Sequence, residues 1–189
     1  MATDRAEFDA FIGLLGLRYF KAKEFRRVPP RDLWQNGVGV LAVADAARKA
    51  LGFPLRITSA YRDPEYNREQ GGSVRSRHQL FEALDLQPAK PAAGWPADGE
   101  FARRTGYLHE LLDGWRKEGR IFPLAVTLRW APTVDRKGDV LPAGTCHRWT
   151  RASIVHQPVG AFRFRGGLGR YPTFVHVDTR GVNATWSGR

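Results

Sequence analysis

The chain has one cysteine, Cys146, in 189 residues. A disulfide framework within the chain is therefore excluded. No stretch approaches the ~20 consecutive apolar residues of a membrane-spanning helix. The apolar N-terminal run FIGLLGL follows Asp4, Glu7 and Asp9. A secretory signal opens on positive charge and carries a longer apolar stretch, so no signal peptide is expected. The expectation is a chain that is cytoplasmic when made and acts outside the cell only after lysis or non-standard export. Acidic residues are also scarce, 19 Asp and Glu against 30 Lys and Arg, which leaves a net charge of +11. Such a surplus attracts polyanions. Bacterial cell wall and nucleic acid both qualify, and charge does not choose between them.

Apolar residues make up 42% and aromatics 12% of the chain, so a folded core is expected rather than disorder. The length suits one domain, residues 1–189. Phe8, Phe11, Ile12 and Leu15 recur at helical spacing, which predicts a helix over about 5–16. Pro29-Pro30 and Asn36-Gly37 are expected to break the next stretch. Val40, Leu41, Ala44, Ala47 and Leu51 then mark a second helix stopped by Gly52. Leu55 to Thr58 reads as a strand, and Asp63-Pro64 as cap and first turn of a short helix that Gly71-Gly72 ends. Ala83 to Leu86 reads as a buried strand. Phe101, Leu108, Leu111, Leu112 and Trp115 form one face of a long helix, with Asp98 as its expected cap. Alternation predicts strands at Leu124–Trp130, at Phe162–Phe164 and, last, at Phe174–Asp178. Helices gather early and strands late, the pattern of an α+β fold with a central antiparallel sheet flanked by helices.

His78, Asp85 and His176 carry the chemistry. Two imidazoles and one carboxylate are three ligands for a single Zn2+, with the fourth position open, as in catalytic rather than structural zinc sites. His176 and Asp178 are two apart in a β-branched run, so on a strand they share a face, while Val175 and Val177 point to a core. Asp178 is then a candidate general base. Its alternative role is to orient a histidine ligand through a hydrogen bond.

The segments around these residues, ITSAYRDPEYNREQGGSVRSRHQLFEALDLQP and GGLGRYPTFVHVDTRGVNATW, resemble the zinc D-Ala-D-Ala carboxypeptidase and murein endopeptidase family, whose fold is shared with the hedgehog signalling domain. The pattern Ser-x-His-x-x-Gly-x-Ala-x-Asp is met at Ser76, His78, Ala83 and Asp85. Ser-x-Tyr-Arg is met at Ser59, Tyr61 and Arg62, and the closing His-x-Asp at His176 and Asp178. The likeness covers about residues 18–88 and 166–186 and leaves a divergent segment at about 89–165. It implies a hedgehog/DD-peptidase-like fold and a zinc metallopeptidase acting on peptidoglycan stem peptides or cross-links; the small size and the expected lack of a signal peptide suit a phage-type endolysin. It implies that Arg62 meets a substrate carboxylate, with Ser76 and Tyr61 also at the substrate. Two departures stand out. Thr173 occupies the position, three before the last histidine, where several branches carry an acid, so the base falls to Asp178 or to the middle segment. Phe81 replaces a small residue, and a phenylalanine there is expected to narrow the cleft or reshape the turn.

Competing readings remain. The same fold can hold zinc without turnover, as a binding module. A nucleic-acid binder is compatible with the charge and six tryptophans, but no nucleic-acid module pattern is present, and no specific nucleic-acid partner is expected. His109 is expected to be solvated on the long helix. Cys146, His147 and His156 are too few for a second closed zinc site. Gly166-Gly167-x-Gly169 reads as a turn before the last strand. Arg75, Arg77, Arg163, Arg165, Arg170 and Arg180 are candidates for the cleft rim.

Overall fold

The computed structural model describes residues 2–90, 94, 97–124, 145–149, 154–158 and 161–188, with only the backbone for 2–3, 145–149 and 154–158. Four α-helices are present among them: α1 (Ala2–Leu14), α2 (Gly37–Leu51), α3 (Pro64–Glu69) and α4 (Glu100–Glu118). The strands are β1 (Leu55–Ser59), β2 (Ala83–Pro88), β3 (Ile121–Pro123), β4 (Thr145–Trp149), β5 (Ile154–Pro158), β6 (Ala161–Arg163), β7 (Gly167–Arg170), β8 (Val175–Asp178) and β9 (Ala184–Ser187). No described helix is long and apolar enough to cross a membrane.

The apolar periodicities fall where a core needs them. Phe8, Phe11, Ile12 and Leu15 are buried from α1, and Val40, Leu41, Ala44 and Ala47 from α2. Gly52 closes α2 in the left-handed conformation, φ 69°, which glycine adopts without penalty. Asp63 caps α3 by accepting the Tyr66 amide at 2.8 Å. Asn36-Gly37 does not break the chain as expected. A 3-10 stretch, Arg31–Asn36, runs straight into α2, and Gly37 is helical at φ −73°. Nor does Asp98 cap α4. Gly99 takes that position at φ 75° and no side chain accepts there.

A five-stranded sheet, in the order β1-β2-β8-β7-β9, carries the site. The β1/β2, β2/β8 and β7/β8 pairs are antiparallel. The β7/β9 pair is parallel, so the sheet is mixed rather than purely antiparallel. The glycine-rich segment expected to be a turn is strand β7, and Phe174–Asp178 is not the last strand. β9 follows it. The alternation of Ala184 and Trp186 with Thr185 and Ser187 went unread as a strand, because it is only four residues long and its apolar members are half-buried. The position of β9 comes from backbone pairing to β7 and from Arg116 on α4, which donates to the Ala184 carbonyl at 2.5 Å and to Thr185 Oγ1 at 2.8 Å.

β3 pairs with β6, and β4 pairs with β5 with His147 opposite His156. Strand β3 lies before the segment expected at Leu124–Trp130, and residues 125–130 fall outside the described ones. The side chains of Cys146, His147 and His156 also fall outside them.

Phe81 behaves differently from expectation. It follows the 3-10 turn Arg77–Leu80 at φ 55°, the one described non-glycine residue with positive φ. The position demands the left-handed conformation that makes glycine its usual occupant. The ring does not narrow the cleft. It is wholly buried against Phe8 and Phe25, at centroid distances of 5.9 and 6.1 Å. It also lies over Gly37, where an added Cβ would stand 2.3 Å from a ring carbon.

Candidate metal centre

β2 and β8 are the inner neighbours that build the site. Leu84, Leu86, Val175 and Val177 are fully buried. Alternation then sends Asp85 and His176 to the opposite face, where the register sets them directly across from one another. The turn before β2 delivers His78. His78 Nε2 lies 3.1 Å from Asp85 Oδ1 and 3.1 Å from His176 Nδ1, and His176 Nδ1 lies 3.0 Å from Asp85 Oδ1. The three residues are buried and form the metal-capable cluster found among the described residues. A tetrahedral ion with bonds of ~2.0–2.1 Å separates its ligand atoms by roughly 3.3 Å, close to the spacing seen. The donor set fits zinc.

Each donor is backed on its other side, as metal ligands commonly are. His78 Nδ1 lies 2.6 Å from the Ala60 carbonyl, which fixes Nδ1 as the donor and leaves Nε2 free to ligate. Arg62 donates through Nη2 to Asp85 Oδ2 at 2.6 Å and through Nε to Ser59 Oγ at 2.8 Å. His176 Nε2 lies 3.2 Å from Asp178 Oδ2. Asp178 is 0% exposed, on the far side of the His176 ring from Asp85.

The three donors sit in a cleft of about 860 Å³, within the usual size of a ligand site. Arg62, Ser76, Tyr171, Thr173 and Trp186 are among its walls. Of the arginines expected at the rim, Arg75, Arg77 and Arg180 line it, whereas Arg163, Arg165 and Arg170 do not. Among the described residues lining the cleft, Asp85 is the only carboxylate. Tyr61 lines a smaller hollow instead, which shares Thr58, Ser59 and Tyr66 with the cleft. His109 is not fully solvated. Burial lowers its pKa against the opposing pull of Asp113, and its Nε2 has no hydrogen-bond partner among the described residues.

Residues 27–98 match the family model described as Peptidase M15. The match spans less than half of the chain and supports a likeness to the zinc D-Ala-D-Ala carboxypeptidase-like M15 family. It contains His78 and Asp85. The third candidate donor, His176, lies beyond it and arrives through the β2/β8 pairing. No curated protein and no solved structure matches the chain. The role of Arg180 escaped the sequence reading except as a rim charge. The signal for it was present, since His176, Asp178 and Arg180 alternate along one segment.

The electrostatics of the cluster yield a pH prediction. Burial alone pushes His176 down, but hydrogen bonds to Asp178 and Asp85 outweigh it and hold its pKa above the ordinary value. Burial alone would raise Asp85 and Asp178. His78 and His176 instead hold Asp85, and His176 and Arg180 hold Asp178, well below the usual carboxylate range. A raised histidine contributes stability that is complete below its unfolded pKa of about 6.5 and is lost as pH rises through the folded value. The depressed carboxylates contribute stability above their unfolded pKa of about 3.9, lost as pH falls through their folded values. Chelator-treated protein should therefore melt at lower temperature as pH rises above about 6.5. Zinc must displace the same proton, so its affinity should rise over that window. A melting temperature that stays flat between about pH 6 and 9 would contradict this assignment.

Proposed function

We propose that the chain is a single zinc-peptidase domain of the hedgehog/DD-peptidase type that hydrolyses amide bonds in bacterial peptidoglycan stem peptides or cross-links, acting on the wall after lysis as a phage-type endolysin does. The observation that carries this reading is the convergence of His78 Nε2, Asp85 Oδ1 and His176 Nδ1, each backed by its own partner, in a cleft lined by arginines. Zinc held there supplies Lewis-acid chemistry, acidifying water and polarising a scissile carbonyl. Arg62 holds Asp85 Oδ2, so Asp85 would have its other oxygen for the metal. The guanidinium retains donors beyond its two bonds for a substrate carboxylate. Ser76 is placed to hydrogen-bond the peptide. Tyr61 would meet it only where the peptide extends past Tyr66. Asp178 orients His176 rather than taking a proton from water, because it is buried behind the ring.

One observation favours a second reading, a zinc-holding binding module. Thr173 lines the cleft where an acid would serve, and no described cleft residue offers a carboxylate free of the metal cluster. Incubation with purified sacculi decides between them, run as purified, with chelator and with zinc restored, and read by mass spectrometry of soluble products. Chelator-sensitive release of defined peptides supports the peptidase and names the bond. Zinc-loaded protein that releases nothing supports the module.

A further inference from the structure

His176 offers Nδ1 to the other donors, whereas His78 offers Nε2. A half-turn of the His176 ring about Cβ–Cγ would put a carbon where Nδ1 stands. A shift of its proton from Nε2 to Nδ1 would remove the lone pair a metal needs. Asp178 opposes both changes, and Asp178 is itself held tightly. Arg180 Nε donates to Oδ1 at 2.9 Å and to Oδ2 at 3.0 Å, and Nη2 donates to Oδ2 at 2.5 Å. The amides of Arg180 and Gly167 donate to Oδ1 at 3.1 and 2.8 Å.

Trp186 on β9 closes the arrangement. Its ring lies 5.1 Å from the His176 ring, the Arg180 guanidinium lies 5.2 Å over it, and its Nε1 donates to Tyr171 Oη at 3.1 Å. Room for the indole exists because β7 carries glycines. A Cβ on Gly167 or Gly169 would stand 2.8 or 2.4 Å from it.

We propose that Arg180 is a positioning residue of the metal site: braced by Trp186, it locks Asp178 so that His176 keeps its proton on Nε2 and its Nδ1 toward the metal. The proposal rests on the ligand set of the proposed function. It separates Arg180 from a rim arginine that only touches substrate.

The test measures zinc affinity by chelator competition and the His176 tautomer by 15N NMR of chelated protein at alkaline pH. Arg180→Ala should weaken zinc about 10–100-fold, as loss of an outer partner of a ligand does. Asp178→Asn should cost a similar factor, and the double variant no more than either alone, because the two act in series. Arg180→Lys should restore only part, since an ammonium cannot make the two-oxygen contact. The wild type should show one His176 tautomer, protonated at Nε2, and Arg180→Ala a mixture. If Arg180→Ala does not fold, Arg180→Gln retains contact with Trp186 while removing the charge, and the same readouts apply. Folded Arg180→Ala with zinc affinity within about twofold of wild type and an unchanged tautomer would overturn the proposal. So would a raised KM with zinc binding intact. A wild type that binds no zinc would defeat the ligand reading, and the tautomer measurement would still decide the role of Arg180.

Discussion

His176→Ala is expected to lose zinc affinity by more than the ~10–100-fold typical of an outer partner, and to release no peptide from sacculi. The substitution removes one of three donors and leaves His78 Nε2 and Asp85 Oδ1 to hold an ion that needs a third protein ligand. It also takes from the buried Asp85 and Asp178 a partner that both use. Asp178→Ala is the informative comparison. Asp178 lies behind the ring and has no exposed surface. Its loss should weaken zinc about 10–100-fold, with turnover recovering when zinc is added in excess. A base would behave otherwise, with zinc retained and turnover gone. Full zinc binding and full turnover in His176→Ala would show the assigned site to be wrong.

Phe81→Gly is expected to destabilise the fold by about 3–5 kcal/mol, although it installs the residue that the backbone conformation favours. Relief of the left-handed strain returns only about 1–2 kcal/mol, part of which glycine's larger unfolded freedom cancels. The ring it removes is wholly buried between α1, the segment at Phe25 and Gly37. A domain of this size loses roughly 2–4 °C per kcal/mol, so the melting temperature should fall by about 10 °C. Gly37→Ala checks the mechanism, because its Cβ would collide with the Phe81 ring at 2.3 Å. It should destabilise the wild type and be tolerated in the Phe81→Gly background. A Phe81→Gly protein as stable as the parent would refute the idea that this ring and Gly37 are matched.

These two substitutions mark the border between local and tertiary information. The candidate cluster of His78, Asp85 and His176 was legible in the chain because the capacity to ligate a metal is a property of side-chain type. The alternation of Val175, His176, Val177 and Asp178 also sorted core from site before any contact was known. The helices of Phe8 to Leu15 and Val40 to Leu51 were legible for a similar reason, since an apolar stripe at helical spacing needs only a partner, not a particular one. Strand β9 was passed over, because the alternation of Ala184 and Trp186 with Thr185 and Ser187 is short, and backbone pairing to β7 and the reach of Arg116 place it. Strand β7 was misread as a turn. Its glycines serve the indole of Trp186, and a missing Cβ does not reveal what fills its place. Chemical identity and local period thus belonged to the sequence. The tertiary structure decided which side of His176 faces His78 and Asp85, that Asp178 lies behind that ring and that Phe81 points into the core. Each depends on a neighbour distant in the chain, because packing and hydrogen bonding act between surfaces that only folding brings together.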